Sequence, residues 1–157
     1  MLQVPNNLLS RIYVHVQKLY PAEGAGFLLG TDSEEGRHVE DVYAIEKDAH
    51  SEVYPDRFFI DAKTVSEVED MAEALSLTLI GIFHSHPDHP PEPSAIDREW
   101  ALPWYSYLIT TVQEGVACES RSWRLSNDGT FTQESLNIRD SIGNEEELWP
   151  PCISQHP

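Results

Sequence analysis

Polar and apolar positions change period several times along the chain, and each change marks an element. Across residues 5–20, Leu8, Leu9, Ile12, Val16, Leu19 and Tyr20 recur at helical spacing. Pro5 suits a first helical turn and Pro21 ends the segment, which predicts an amphipathic helix lying on a sheet. His15 falls within it as a surface or partly packed residue. Residues 23–30 read as a short strand whose glycines, at 24, 26 and 30, let another backbone or a ligand come close. Residues 31–37 form a polar turn, and residues 38–47 alternate loosely as a second strand, paired with the first as a hairpin. A loop over 48–55 holds His50, and Arg57-Phe58-Phe59-Ile60 is a short extended entry. Asp61 then caps a helix over 62–75 that carries Val65, Val68, Met71, Ala72 and Leu75 on one face and acidic residues on the other.

The apolar run over 77–83 predicts a buried central strand that continues to His86. Prolines at 87, 90, 91 and 93 then force a turn. A short helix follows over 95–100. Residues 104–112 are aromatic and β-branched, hence a strand. Gln113-Glu114-Gly115 is a turn, residues 118–125 alternate as a strand, Asn127-Asp128-Gly129 signals a hairpin, and residues 130–138 form the last strand. This order predicts an α/β fold: a mixed sheet with helices packed on it. Residues 1–139 form one domain. Residues 140–157, with Glu145-Glu146-Glu147 and Pro150-Pro151, read as a flexible tail.

Candidate chemistry gathers at the end of the central strand. Side chains alternate along an extended chain, so His84 and His86 face one way and Ser85 the other. Ser94 is placed to cap the short helix, whose first turn can carry Asp97 back beside the two histidines. A His/His/carboxylate set leaves a fourth position open, as a catalytic zinc requires. Chance His-x-His pairs in exposed loops are common, and it is the ordered set that argues for a metal. His89 reads as a polar loop residue at the mouth of the cleft. Glu23, an acid opening an otherwise apolar strand, is either an exposed strand-edge carboxylate or a functional group.

Composition narrows the function classes. A length of 157 residues, 40% hydrophobic with four tryptophans, supports one core. A formal net charge of -17 repels phosphate, which argues against a nucleic-acid partner. It suits a basic partner face, and it also keeps the chain soluble. There is no membrane-spanning run and no signal-like N-terminus, so a cytoplasmic protein is expected. Cys118 and Cys152 are isolated and expected as thiols, buried or on the surface. H-E-x-x-H, H-x-E with P-C-x-x-C, G-x-S-x-G and P-loop patterns are all absent.

The run His84-Ser85-His86-Pro87, with Ser94-x-x-Asp97 after a spacer and Pro21-Ala22-Glu23-Gly24-Ala25-Gly26 upstream, resembles the signature of the JAMM (MPN+) metallopeptidases. The likeness extends over about residues 8–138. It implies an α-β-α arrangement related in layout to the cytidine deaminases. It further implies Zn2+ on His84, His86 and Asp97, Glu23 as general base, and Ser94 donating to the oxyanion. Ala25 stands where many compact relatives have a cysteine. The short connections resemble the compact prokaryotic members. The activity implied is hydrolysis of the amide bond after the C-terminal Gly-Gly of a ubiquitin-like or sulfur-carrier protein, a β-grasp partner. The alternatives are a non-catalytic MPN-like scaffold, disfavoured because every ligand and the base are present, and a peptidase of small amino-acid conjugates.

Overall fold

The computed structural model describes residues 1–46 and 60–140. The chain starts with β1 (Leu2–Pro5) and α1 (Asn6–Leu19), followed by the hairpin of β2 (Ala25–Ser33) and β3 (Gly36–Ala44). Then come α2 (Ala62–Ala74), β4 (Thr78–Pro87), α3 (Ala95–Trp100), β5 (Ser106–Gln113), β6 (Val116–Leu125), β7 (Phe131–Glu134) and β8 (Leu136–Arg139). The described strands form one mixed sheet in the order β7-β6-β5-β4-β2-β3-β1-β8. β4 pairs antiparallel with β2 and parallel with β5.

Each face of the sheet holds its own core. On one, α1 buries Leu8, Leu9, Ile12, Tyr13 and Val16 against Leu28, Ile80, Phe83 and Leu108. On the other, Val68 and Ala72 of α2 pack with Phe27, Leu29, Ile82 and Tyr107. β4 is therefore apolar on both sides, which explains its unbroken hydrophobic run. Gly26 of β2 lets Phe83 cross it, since a Cβ there would lie 2.3 Å from that ring. The expected α2 face is narrower than its sequence pattern: Met71 and Leu75 are exposed. Asp61 caps α2 as expected, its side chain accepting the Thr64 N–H at 2.7 Å. Glu114 and Gly115 both have positive φ, the pattern of a type I′ hairpin turn.

Several expectations need correction. β1 was not expected, because four residues are too few to show a period. The strand expected over 130–138 is two strands divided at Ser135. Its first part pairs antiparallel with β6 and its second pairs parallel with β1. Consecutive in the chain, β7 and β8 thus stand at opposite ends of the strand order, so the sheet curls round α1 until its edges meet at one residue. The Leu2 N–H donates to the Ser135 carbonyl at that seam, at 2.8 Å. Glu23 lies just before β2, not within it. Cys118 is disulfide-bonded and not a thiol; no local spacing announced this, since such a pairing depends on tertiary proximity. Cys152, His50, the rest of the 48–55 loop, Arg57-Phe58-Phe59 and the tail beyond Asp140 lie outside the described residues. No described helix is long and apolar enough to cross a membrane.

Candidate metal centre

β4 presents His84 and His86 on the α2 side of the sheet, both buried. Ser85 points the other way. Its hydroxyl accepts the Gly24 N–H at 2.9 Å, and its own N–H donates to the Gly24 carbonyl at 2.9 Å. The strand that carries the histidines thereby fixes the backbone next to Glu23. On the far side, α3 begins with a capping box. The Ser94 hydroxyl accepts the Asp97 N–H at 3.1 Å and the Asp97 carboxylate accepts the Ser94 N–H at 2.8 Å. That reciprocal bond holds the carboxylate over β4.

The three side chains meet. His84 Nε2 lies 3.2 Å from His86 Nε2 and 3.2 Å from Asp97 Oδ1, and His86 Nε2 lies 3.1 Å from Asp97 Oδ2. An ion with tetrahedral bonds of about 2.0–2.1 Å spaces its ligand atoms about 3.3 Å apart. Two imidazoles and a carboxylate at this separation fit such an ion. His86 Nδ1 is 2.9 Å from the Pro90 carbonyl. A carbonyl only accepts, so Nδ1 carries the proton and the Nε2 lone pair of the neutral ring is left for the metal. Burial pushes the Asp97 carboxyl up, but bonds from His84, His86 and the Ser94 N–H reverse this and hold it well below the usual carboxylate range. Burial likewise disfavours a charged His86, yet Asp97, the Pro90 carbonyl and the Glu23 charge outweigh it and raise its pKa.

The loop after β4 is tied down along its length. Asp88, in the left-handed region at φ 57°, accepts from the Glu114 N–H at 2.8 Å and the Tyr20 hydroxyl at 2.6 Å. Thr111 donates to the His89 carbonyl at 2.8 Å, and the Trp123 indole N–H donates to the Pro91 carbonyl at 2.9 Å. The His89 side chain is exposed and stays out of the cluster. His15 stands edge-on to Phe83 on the opposite face of the sheet, with ring centroids 6.2 Å apart.

A cleft of ≈ 310 Å³ opens on the cluster. Glu23, His84, Ser94 and Asp97 line its polar end, and Ile60, Val65, Ile82, Trp100, Leu102 and Tyr107 its apolar walls. Glu23, His84, Ser94 and Asp97 thus share one cavity although they come from three separate segments. Sequence reasoning missed Trp100, Leu102 and Tyr107 as cleft walls, and Ser85, Thr111 and Trp123 as supports. Their roles arise from neighbours distant in the chain. Only the exposed Trp100, an aromatic on a short helix next to Asp97, gave a hint.

Residues 5–126 match the family model described as prokaryotic homologs of the JAB domain. A desampylase of Pyrococcus furiosus is 29% identical over 135 residues, which cover 86% of this chain and 89% of that protein. A solution structure from Desulfitobacterium hafniense has a TM-score of 0.74 at 27% identity, covering 91% of this chain and 96% of the other. One from Salinibacter ruber has a TM-score of 0.68 at 31% identity, covering 95% and 99%. A JAB1/MPN domain protein of Archaeoglobus fulgidus shares the fold, with a TM-score of 0.57 at 13% identity over 87% and 97%. With the strand-borne histidines, the capped aspartate and a family match over most of its length, the chain belongs to the prokaryotic branch of the JAB domain family.

Proposed function

We propose that this chain is a zinc-dependent isopeptidase that hydrolyses the amide bond after the C-terminal Gly-Gly of a ubiquitin-like β-grasp protein. The observation that carries the reading is the convergence of His84, His86 and Asp97 at ligand spacing in a cleft that also holds Glu23 and Ser94. Similarity to a desampylase supports hydrolysis of a protein conjugate. Two neutral imidazoles and one carboxylate suit zinc. Bound there, it supplies Lewis acidity toward the scissile carbonyl and lowers the pKa of a water from ~15.7 toward ~7.

The chain's own groups do the rest. Glu23 takes the proton of the attacking water and passes it to the departing amine, with no covalent intermediate. The Ser94 oxygen already accepts the Asp97 N–H, so its own O–H is left to donate to the oxyanion that forms on the scissile carbonyl. The apolar walls exclude bulk water, and the extended tail of the substrate lies along them.

Intact-mass spectrometry tests this directly. Ubiquitin-like proteins carrying an extension or an isopeptide adduct beyond Gly-Gly are incubated with the protein, with and without chelator. Chelator-sensitive loss of the adduct is expected, and Glu23→Gln should reduce the rate by 10²–10⁴-fold, on the order expected for a lost general base. Protein that holds its zinc yet leaves every adduct intact would sink the substrate assignment. Protein that neither cleaves nor binds zinc would sink the enzyme reading itself.

A further inference from the structure

Three consecutive carbonyls in the loop after β4 each receive a hydrogen bond from a different source. The His89 carbonyl takes the Thr111 hydroxyl of β5 at 2.8 Å, and the Pro91 carbonyl takes the Trp123 indole of β6 at 2.9 Å. Between them, the Pro90 carbonyl takes Nδ1 of His86, also at 2.9 Å. Pro90 and Pro91 have no N–H and a fixed φ, so few rotations remain for the peptides that bear these carbonyls. Two strands hold the outer carbonyls and the middle one is thereby aimed at the imidazole.

We infer that Thr111 and Trp123 are positioning residues for the metal. Neither belongs to the ligand cluster. By fixing the peptides on either side of Pro90, they keep its carbonyl on His86 Nδ1, and so keep the Nε2 lone pair turned toward the ion. Partners of this kind orient metal-bound histidines, and their loss lowers affinity about 10–100-fold. Thr111 is nearly buried, and Trp123 packs partly against the α2-side core, so both donors reach the loop from supported positions. The inference rests on the metal reading proposed above.

The test measures zinc affinity of the metal-stripped full chain by competition with a chromophoric chelator. Thr111→Val keeps the shape of the side chain and removes the donor. Trp123→Phe keeps an aromatic and removes the N–H. Each should weaken zinc binding, with a loss of about tenfold or more in the double variant. Thr111→Ser, which keeps the hydroxyl, should restore most of the affinity. A merely structural role would instead lower the unfolding temperature of the metal-free protein and leave the zinc affinity as it was. Unchanged affinity in folded Thr111→Val and Trp123→Phe overturns the inference while leaving the metal centre in place. Absence of zinc binding to the unsubstituted protein overturns both. Should Trp123→Phe fail to fold, Thr111→Val and its serine control decide the matter.

Discussion

His86 and Asp97 stabilise one another in the metal-free protein, and the pH dependence of that pair has a definite sign. The folded pKa of His86 lies above 6.5, so its contribution is complete below 6.5 and fades as pH rises through the folded value. That of Asp97 lies below 3.8, so its contribution is complete above 3.8 and fades as pH falls through the folded value. The pair therefore stabilises the metal-free protein most between pH 3.8 and 6.5. Metal at the proposed site would require the unprotonated Nε2, which would reverse the slope on the alkaline limb. Thermal unfolding from about pH 6 to 8 should show the metal-free protein losing stability through this pair as the zinc-loaded protein gains it. His86→Gln should remove this pair's share of both slopes; parallel slopes with and without zinc would contradict the pairing.

At the scale of elements, a buried cation ties β3 to two strands with which it does not pair. Arg37 of β3 donates to the Ile80 carbonyl of β4 at 2.9 Å, to the Ser106 hydroxyl of β5 at 3.1 Å and to the Trp104 carbonyl at 2.7 Å. Its Nε meets the half-exposed Asp32 carboxylate at 3.1 Å. Most of its worth lies in satisfying buried carbonyls, because an ion pair with an exposed partner contributes little. Arg37→Met should cost about 2–4 kcal/mol, as two carbonyls lose their donor. Arg37→Lys should fall between, since an ammonium lacks the fork that reaches both. Urea unfolding measures this, and a loss below about 1 kcal/mol would show that water replaces the guanidinium. Zinc affinity should stay unchanged, because these contacts lie at the opposite end of β4 from His84 and His86.

The whole molecule carries a formal net charge of -17, and like charges on a compact body repel. Screening relieves that repulsion over a Debye length of about 10 Å at 0.1 M salt. Raising NaCl from about 0.01 M to about 0.5 M should therefore raise the unfolding temperature by a few degrees, with sucrose at equal osmolarity as the control. A flat response would mean that the acidic residues are spread widely enough not to interact. The same charge disfavours phosphate ligands and suits partners with a basic face.

The elements with a clear period were legible in the chain. α1, α2 and the buried β4 emerge from spacing alone, because amphipathicity and double-sided burial leave a record in consecutive residues. So does the convergence of His84, His86 and Asp97, since His84 and His86 share a face by strand alternation and Ser94 caps the turn that returns Asp97. Its geometry at 3.1–3.2 Å follows from that local chemistry. Tertiary structure alone decided the rest. β1 is too short to show a period. The break at Ser135 exists because one extended stretch serves two partners, β6 and β1, which no local pattern encodes. Arg37 looked like a turn residue until three segments closed over it. Thr111 and Trp123 are unremarked strand residues until folding brings their donors to the carbonyls beside Pro90. Periodicity records which face of an element is buried; which atoms meet there depends on contacts between residues far apart in the chain.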